Sequence, residues 1–128
     1  MAVHIVRLGG PRGKGQGVRI GTVRRPPRGV AKREFASRDF YDVWLPNLAP
    51  SEELLKLGLS VDDERGWKAF ARRYRAEMAR PEAGRVFDLL AALSHVTDFA
   101  VGCYCENEAR CHRSLMRELL KDRGAAIE

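Results

Sequence analysis

The chain begins with alternating apolar and polar residues and then becomes rich in glycine and proline. The alternation in "VHIVRL" (3–8) predicts the first strand of a sheet. The stretch from Gly9 to Gly29 holds seven of the twelve glycines and three of the six prolines, which argues against a helix there. Within it, "VRIGTV" (18–23) predicts a second short strand, and the rest of about 9–33 predicts a basic loop.

Apolar residues recur at helical spacing in the middle of the chain. After a short aromatic strand in "DFYDVW" (39–44) and a proline-bounded turn, Ser51 is a favourable N-cap for a helix that ends near Gly58. The clearest helix is predicted over 62–80. Its apolar stripe comprises Trp67, Phe70, Tyr74 and Met78. A stripe with this spacing is typical of a helix side that packs in a core.

The last third predicts two more helices around a buried strand. Pro81 opens a helix over 81–95. Its expected buried side comprises Val86, Leu89, Leu90 and Leu93. The nearly continuous apolar run 97–104 is typical of a strand covered on both faces, and a final helix is predicted over 111–124. Its inward residues are expected to be Leu115, Leu119 and Leu120.

This order of elements predicts one α/β domain over residues 1–128. A single layered domain with a small, largely parallel sheet flanked by helices accommodates it best. No run of about eighteen apolar residues is present, so we expect no membrane partner. Three cysteines within nine residues do not form a disulfide framework, and the N-terminus lacks a signal-peptide core, so we expect a cytoplasmic location.

Charge is concentrated near the N-terminus. Residues 1–40 carry ten basic and two acidic side chains, a net charge of +8, on a chain whose total is +6. Such a localised field favours phosphates or nucleic acid as partners, and a solvated basic loop is the plainer interpretation. "GKGQG" is not a phosphate-binding P-loop, because Lys14 is followed by Gly15 and no helix begins there.

The segment "CYCENEARCHRS" (103–114) lies between the buried strand and the last helix, where α/β proteins bind ligands. One interpretation is nucleophilic chemistry, since Cys105 and Arg110 resemble the active loop of rhodanese-like and cysteine-phosphatase domains. The neighbouring Glu106 and Glu108 oppose a thiolate there. Cys111, at the helix start, is an equally good candidate nucleophile.

Two other interpretations stay open for the same loop. Four residues offer soft or borderline ligands, the number that zinc requires. They are Cys103, Cys105, Cys111 and His112. Their spacing differs from that of a zinc knuckle, and we expect no cofactor unless it is zinc. Alternatively the cysteines are structural, with Cys103 in the core, while His112 acts as an acid or base and Arg110 and Arg113 bind an anion at the helix start.

Several separated motifs resemble those of a known family. They are Pro27-Arg28-Gly29 with Lys32, "WLPNLAPS" (44–51), the Trp67–Tyr74 helix and the terminal "C…CHR" loop. Together they resemble the YeaO-like branch of the domain-of-unknown-function family 488 from about residue 19 onward. The resemblance implies a small α/β domain without an established reaction. Part of the branch has Asn-His in place of the cysteines, which directs attention to His112.

If the strands are neighbours, the basic segment and the cysteine loop converge on one cleft with an aromatic wall. Its expected ligand-binding residues are Arg25, Arg28, Lys32, Trp44, Arg110 and Arg113, with His112, Cys105 and Cys111 as candidate catalytic residues. Such a cleft suits a nucleotide or another phosphate-bearing molecule. The alternatives are a nucleic-acid-binding module that uses the basic segment and a zinc-binding domain. The sequence does not indicate an oligomeric state.

Overall fold

A four-stranded parallel sheet forms one layer of the protein, as seen in a computed structural model that describes residues 1–128. Its strands are β1 (Val3–Arg7), β2 (Val18–Gly21), β3 (Val43–Trp44) and β4 (Phe99–Cys103). They are arranged in the order β1-β4-β2-β3, and every neighbouring pair is parallel. The predicted single α/β domain with a small parallel sheet is confirmed.

The last strand in the chain lies between the first two. β4 is buried along its whole length and pairs with β1 and β2 on either side. Arg7 lies opposite Cys103, and Gly21 lies opposite Gly102. Because the three strands run in the same direction, the segments that follow them emerge together at one edge of the sheet.

Four helices form the second layer, with bounds close to those predicted. They are α1 (Glu52–Leu59), α2 (Glu64–Met78), α3 (Pro81–Leu93) and α4 (His112–Asp122). Short 3₁₀ turns lie at Lys32–Glu34, Pro46–Leu48 and Glu108–Arg110. Ser51 caps α1 as predicted, since its hydroxyl accepts a hydrogen bond from the Leu54 amide at 3.2 Å. None of the helices has both the length and the apolar character needed to cross a bilayer.

The main core lies between the sheet and the helices. The α2 stripe enters it as predicted, with Phe70, Tyr74 and Met78 buried and Trp67 packed against them. The predicted buried side of α3 is partly wrong, because Leu89 and Leu93 are 57% and 36% exposed. The side that is buried comprises Ala83, Phe87, Leu90 and Ala91. The large Phe87 ring occupies the core, and the small residues one turn away on either side let α3 pack closely.

A second, smaller cluster lies at the edge where the strands end. Its buried members are Leu8, Val23, Tyr41, Cys103 and Cys111. Leu8 follows β1, Val23 follows β2 and Cys103 ends β4, so the cluster joins the segments that leave three adjacent strands. It therefore holds these segments together at the carboxyl edge of the sheet.

Candidate functional site

A cavity of about 570 Å³ opens at the carboxyl ends of β1, β2 and β4. We call it the arginine cleft. Its lining residues are Arg7, Leu8, Gly9, Arg25, Pro26, Pro27, Arg28, Phe40 and Tyr104. A volume of this size is typical of small-molecule sites, and its position at the strand ends is where open α/β sheets bind ligands.

Two aromatic rings and a tight turn shape the cleft. The Phe40 and Tyr104 rings meet edge to face with their centroids 6.2 Å apart. The Tyr104 hydroxyl donates to the Arg25 carbonyl at 2.9 Å, which ties the exit of β4 to the segment after β2. Gly9 has a φ of 90°, and a Cβ there would lie 3.1 Å from the Phe40 ring, so a residue without a side chain suits this wall.

The three arginines of the cleft differ in how their charge is compensated. Arg25 forms a two-pronged pair with Glu52. Arg7 lies 3.5 Å from Glu106, and both side chains are largely exposed. Arg28 has no carboxylate partner within the chain. The cleft therefore keeps a net positive charge that an anion can neutralise.

A second cavity of about 390 Å³ adjoins the arginine cleft through Pro26, which lines both. We call it the tryptophan cavity. Its other lining residues are Lys32, Arg33, Phe35, Ala36, Tyr41, Asp42 and Trp44. The Trp44 indole is fixed by a hydrogen bond from its Nε1 to the Val23 carbonyl at 2.7 Å.

A third cavity, of about 80 Å³, lies beside the cysteine loop. Cys105, Arg110, Cys111 and His112 line it together with apolar residues of α1 and α2. The Arg110 guanidinium is bonded to Glu64 at 2.9 Å and lies 5.8 Å from the centre of the Trp67 ring. Because its charge is compensated by Glu64, Arg110 is held at the wall of this small cavity.

Two buried thiols and an imidazole meet at the start of α4. The sulfurs of Cys103 and Cys111 are 2.7 Å apart, and Cys111 Sγ lies 3.6 Å from His112 Nδ1. His112 Nε2 lies 2.8 Å from the Thr22 carbonyl, which can only accept a hydrogen bond. The ring proton is thus assigned to Nε2, and the Nδ1 lone pair faces the thiols.

The electrostatics of this cluster favour one thiolate, at Cys105, and a neutral imidazole, because the hydrogen bond with Cys105 and burial raise the pKa of Cys111 to about 11. Hydrogen bonds from Cys103 and Cys111 lower the pKa of the Cys105 thiol, burial opposes this effect, and the charge of Arg113 adds to it. The hydrogen bond with Cys105 raises the pKa of Cys103. Burial lowers the pKa of His112. We call Cys103, Cys105, Cys111 and His112 the thiol cluster.

A buried arginine lies next to the thiol cluster. Arg113 is 4% exposed, and one of its terminal nitrogens donates to the Cys105 carbonyl. Its Nε has no hydrogen-bond partner, and no carboxylate pairs with it. The acids expected to oppose a thiolate are paired elsewhere, Glu106 with Arg7 and Glu108 with Arg117. The charge of Arg113 still reaches Glu108, but Arg117 already binds that carboxylate, so a thiolate or a bound anion could serve as a further countercharge for Arg113.

The residues predicted from the sequence are distributed over three cavities instead of one cleft. Arg25 and Arg28 line the arginine cleft, and Lys32 and Trp44 line the tryptophan cavity. Cys105, Arg110, Cys111 and His112 share the third cavity, and Arg113 is buried. Sequence reasoning missed Arg7, Gly9, Phe40 and Tyr104 as lining residues. The signal available was their position at strand ends: Arg7 ends β1, Gly9 and Tyr104 closely follow β1 and β4, and Phe40 precedes β3.

Part of the basic N-terminal segment stabilises the fold. Arg12 pairs with Asp42 at 2.8 Å and with Asp39 at 3.3 Å. Arg24 donates to three carbonyls of the turn before α1, those of Pro46, Ala49 and Pro50. The segment also keeps basic side chains that form neither an ion pair nor a hydrogen bond within the chain. They are Lys14, Arg28, Lys32, Arg33 and Arg38.

The Asp42 carboxylate predicts a pH dependence of stability. It accepts hydrogen bonds from Arg12 and from the Arg19 amide, and the bond with Arg12 lowers its pKa below the ordinary value. A carboxylate with a lowered folded-state pKa stabilises the protein above its unfolded-state pKa and loses that contribution as pH falls through the folded value. We expect Asp42→Asn to flatten the fall in urea midpoint below about pH 4. An unchanged slope would contradict this.

The fold and these cavities define a small parallel α/β protein with polar sites at the carboxyl edge of its sheet. The family model of the active DUF488-N3 subclade, DUF488-N3a, matches residues 3–124. The chain therefore belongs to the DUF488 family, a domain family of unknown function, as the resemblance indicated. No curated protein and no solved structure gives a significant match.

Proposed function

We propose that the protein binds a phosphate-bearing ligand with a planar ring, such as a nucleotide, in the arginine cleft. The observation that carries the proposal is Arg28, an exposed guanidinium without an internal carboxylate that lines a cavity at the ends of three parallel strands. Guanidinium groups bind phosphate oxygens through paired charge-assisted hydrogen bonds. A phosphate bridging Arg28 and Arg7 would neutralise the charge that the fold leaves uncompensated.

The aromatic wall explains why a ring-bearing ligand is favoured over bare phosphate. Phe40 and Tyr104 are half-buried, so each presents part of a ring to the cleft. Stacking of a base on an aromatic side chain contributes about 1–3 kcal/mol. For a nucleotide, both the positive charge and the aromatic rings contribute to the free energy of binding. For pyrophosphate, only the charge contributes.

Calorimetric titration with adenosine diphosphate and with inorganic pyrophosphate tests the proposal. We expect the nucleotide to bind more tightly, and Arg28→Gln to weaken its binding by at least about tenfold, the effect of losing a hydrogen bond to a charged group. Arg38→Gln is the matched control, since Arg38 is an exposed arginine of the same segment that lines neither large cavity. Absence of binding, or equal weakening in both variants, would refute a specific site.

A single strand of nucleic acid is the second candidate ligand. The tryptophan cavity continues the arginine cleft through Pro26 and adds Lys32, Arg33 and Trp44, so that phosphates and bases have alternating partners. A short oligonucleotide in the same titration separates the two candidates. Binding that exceeds that of the nucleotide and falls steeply with salt would indicate nucleic acid, because each neutralised phosphate releases counterions.

A further inference from the structure

We propose that the thiol cluster binds one zinc ion, with Cys103, Cys111 and His112 as buried ligands and Cys105 as the ligand on the solvent side. This site is separate from the arginine cleft and does not depend on the nucleotide proposal. The ligand atoms of Cys103, Cys111 and His112 all lie within 4.8 Å of one another. Two or three thiolates with one imidazole form a ligand set that is typical of tetrahedral zinc.

The distances fit a tetrahedral ion with a small adjustment. Zinc–sulfur and zinc–nitrogen bonds of about 2.3 and 2.0 Å place sulfur and nitrogen ligands about 3.5 Å apart, and two sulfurs about 3.8 Å apart. Cys111 Sγ and His112 Nδ1 are 3.6 Å apart, so this adjacent pair already has the required separation. The sulfurs of Cys103 and Cys111, at 2.7 Å, would move apart by about 1 Å.

The imidazole is oriented as a ligand. His112 donates its Nε2 proton to the Thr22 carbonyl at 2.8 Å, which leaves Nδ1 unprotonated on the side of the thiols. A metal-bound histidine generally donates its other ring proton to a carbonyl or carboxylate in this way. Thr22 is itself held by its hydroxyl, which donates to the Gly102 carbonyl at 2.9 Å. The histidine is therefore fixed between β2 and the start of α4.

The charge of the complex also matches its surroundings. One Zn²⁺ with three thiolates carries a net charge of −1. The guanidinium of Arg113, buried without a carboxylate and bonded to the Cys105 carbonyl, supplies +1 beside the cluster. A buried cation without a countercharge is strongly unfavourable. A zinc–thiolate complex supplies such a countercharge, as a Cys105 thiolate alone also would, and it accounts for the three neighbouring cysteines.

Cys105 would be the fourth ligand, on the solvent side; its sulfur lies outside the group of three ligand atoms and would turn toward them on binding. It is exposed and lines the same small cavity as Cys111 and His112. The two other cysteines are buried, so Cys105 is the only exposed thiol of the thiol cluster. An ion held by two buried thiolates, a histidine and one exposed thiolate can exchange the last of these for an incoming ligand.

Metal analysis of the full chain tests the site. The protein is produced without a histidine tag in zinc-containing medium and is purified without chelators. We expect one zinc ion per chain in the native protein and in His95→Gln. His95 is a matched control, since its ring bonds the Gly124 carbonyl away from the cysteines. Cys103→Ser, Cys111→Ser and His112→Gln should each lose most of the zinc, and Cys105→Ser should release it faster to a chromogenic chelator.

A cobalt titration of the metal-free native chain keeps the test decisive if a buried-ligand variant does not fold. Co²⁺ should bind one ion per chain and give an intense thiolate-to-cobalt charge-transfer band that Zn²⁺ displaces. Essentially no zinc in the native protein and no such band would overturn the proposal. Equal zinc in the folded cysteine variants, or a disulfide between Cys103 and Cys111 in place of zinc under reducing conditions, would overturn it as well.

Discussion

Arg19→Met is expected to lower the free energy of unfolding by about 3 kcal/mol, because hydrogen bonds from a charged donor are lost inside the protein. Arg19 is only 2% exposed. Its guanidinium donates to the carbonyls of Gly10 at 2.8 Å, Asp39 at 2.7 Å and Pro11 at 3.4 Å. Methionine fills similar space but donates nothing, so these carbonyls lose their partner. Urea unfolding followed by tryptophan fluorescence measures the change.

The same substitution connects stability to the proposed ligand site. Gly9 and Gly10 form the turn after β1, and Gly9 lines the arginine cleft. Loosening of this turn should also weaken nucleotide binding, although Arg19 is not among the lining residues. Arg38→Met is the control and should change stability by less than about 0.5 kcal/mol, as exposed substitutions usually do. Equal stabilities of the two variants would show that water replaces the Arg19 contacts.

The secondary structure was predictable where local patterns are strong. Ser51 before two glutamates, the stripe from Phe70 to Met78 and the apolar run ending at Cys103 each correspond to one element, because capping and periodicity act within a few residues. The buried side of α3 was harder. Several rotations of that helix bury apolar residues, and only the packing of Phe87 against the core selects one.

The strand order was not predictable from local patterns. β4 follows three helices in the sequence but pairs between β1 and β2, and this places Tyr104 beside segments about eighty or more residues earlier. Sequence reasoning therefore found Arg28 but not Arg7 or Phe40 as neighbours of one cavity. The pairing of strands that are distant in sequence decides which residues lie together at the carboxyl edge of the sheet.

The roles of the basic residues depend on contacts that their spacing does not reveal. Arg24 and Arg28 look equivalent in the sequence. Arg24 donates to three backbone carbonyls, whereas Arg28 forms no hydrogen bond or ion pair within the chain and lines the arginine cleft. Arg113 was predicted to bind an anion, and it lies buried beside the thiol cluster instead of lining a cavity. An arginine has a structural role where the fold brings backbone carbonyls from distant segments next to its guanidinium.

His112→Ala is expected to lower the free energy of unfolding by about 3 kcal/mol even without metal, because it removes a buried ring and its hydrogen bond. The ring bonds the Thr22 carbonyl at 2.8 Å and packs against Tyr74 with the centroids 5.7 Å apart. It therefore joins β2, α2 and α4. Urea unfolding of the metal-free variant measures this contribution, and His95→Ala should lose no more than about 1 kcal/mol.

Added zinc separates the packing role of His112 from its proposed role as a ligand. An ion that binds only the folded chain stabilises it by about 2.7 kcal/mol when free zinc exceeds Kd a hundredfold. The native chain and His95→Ala should gain this amount, whereas His112→Ala should gain little, since three thiolates without the imidazole leave the tetrahedral site incomplete. An equal gain in all three proteins would show that His112 supports the fold without binding the metal.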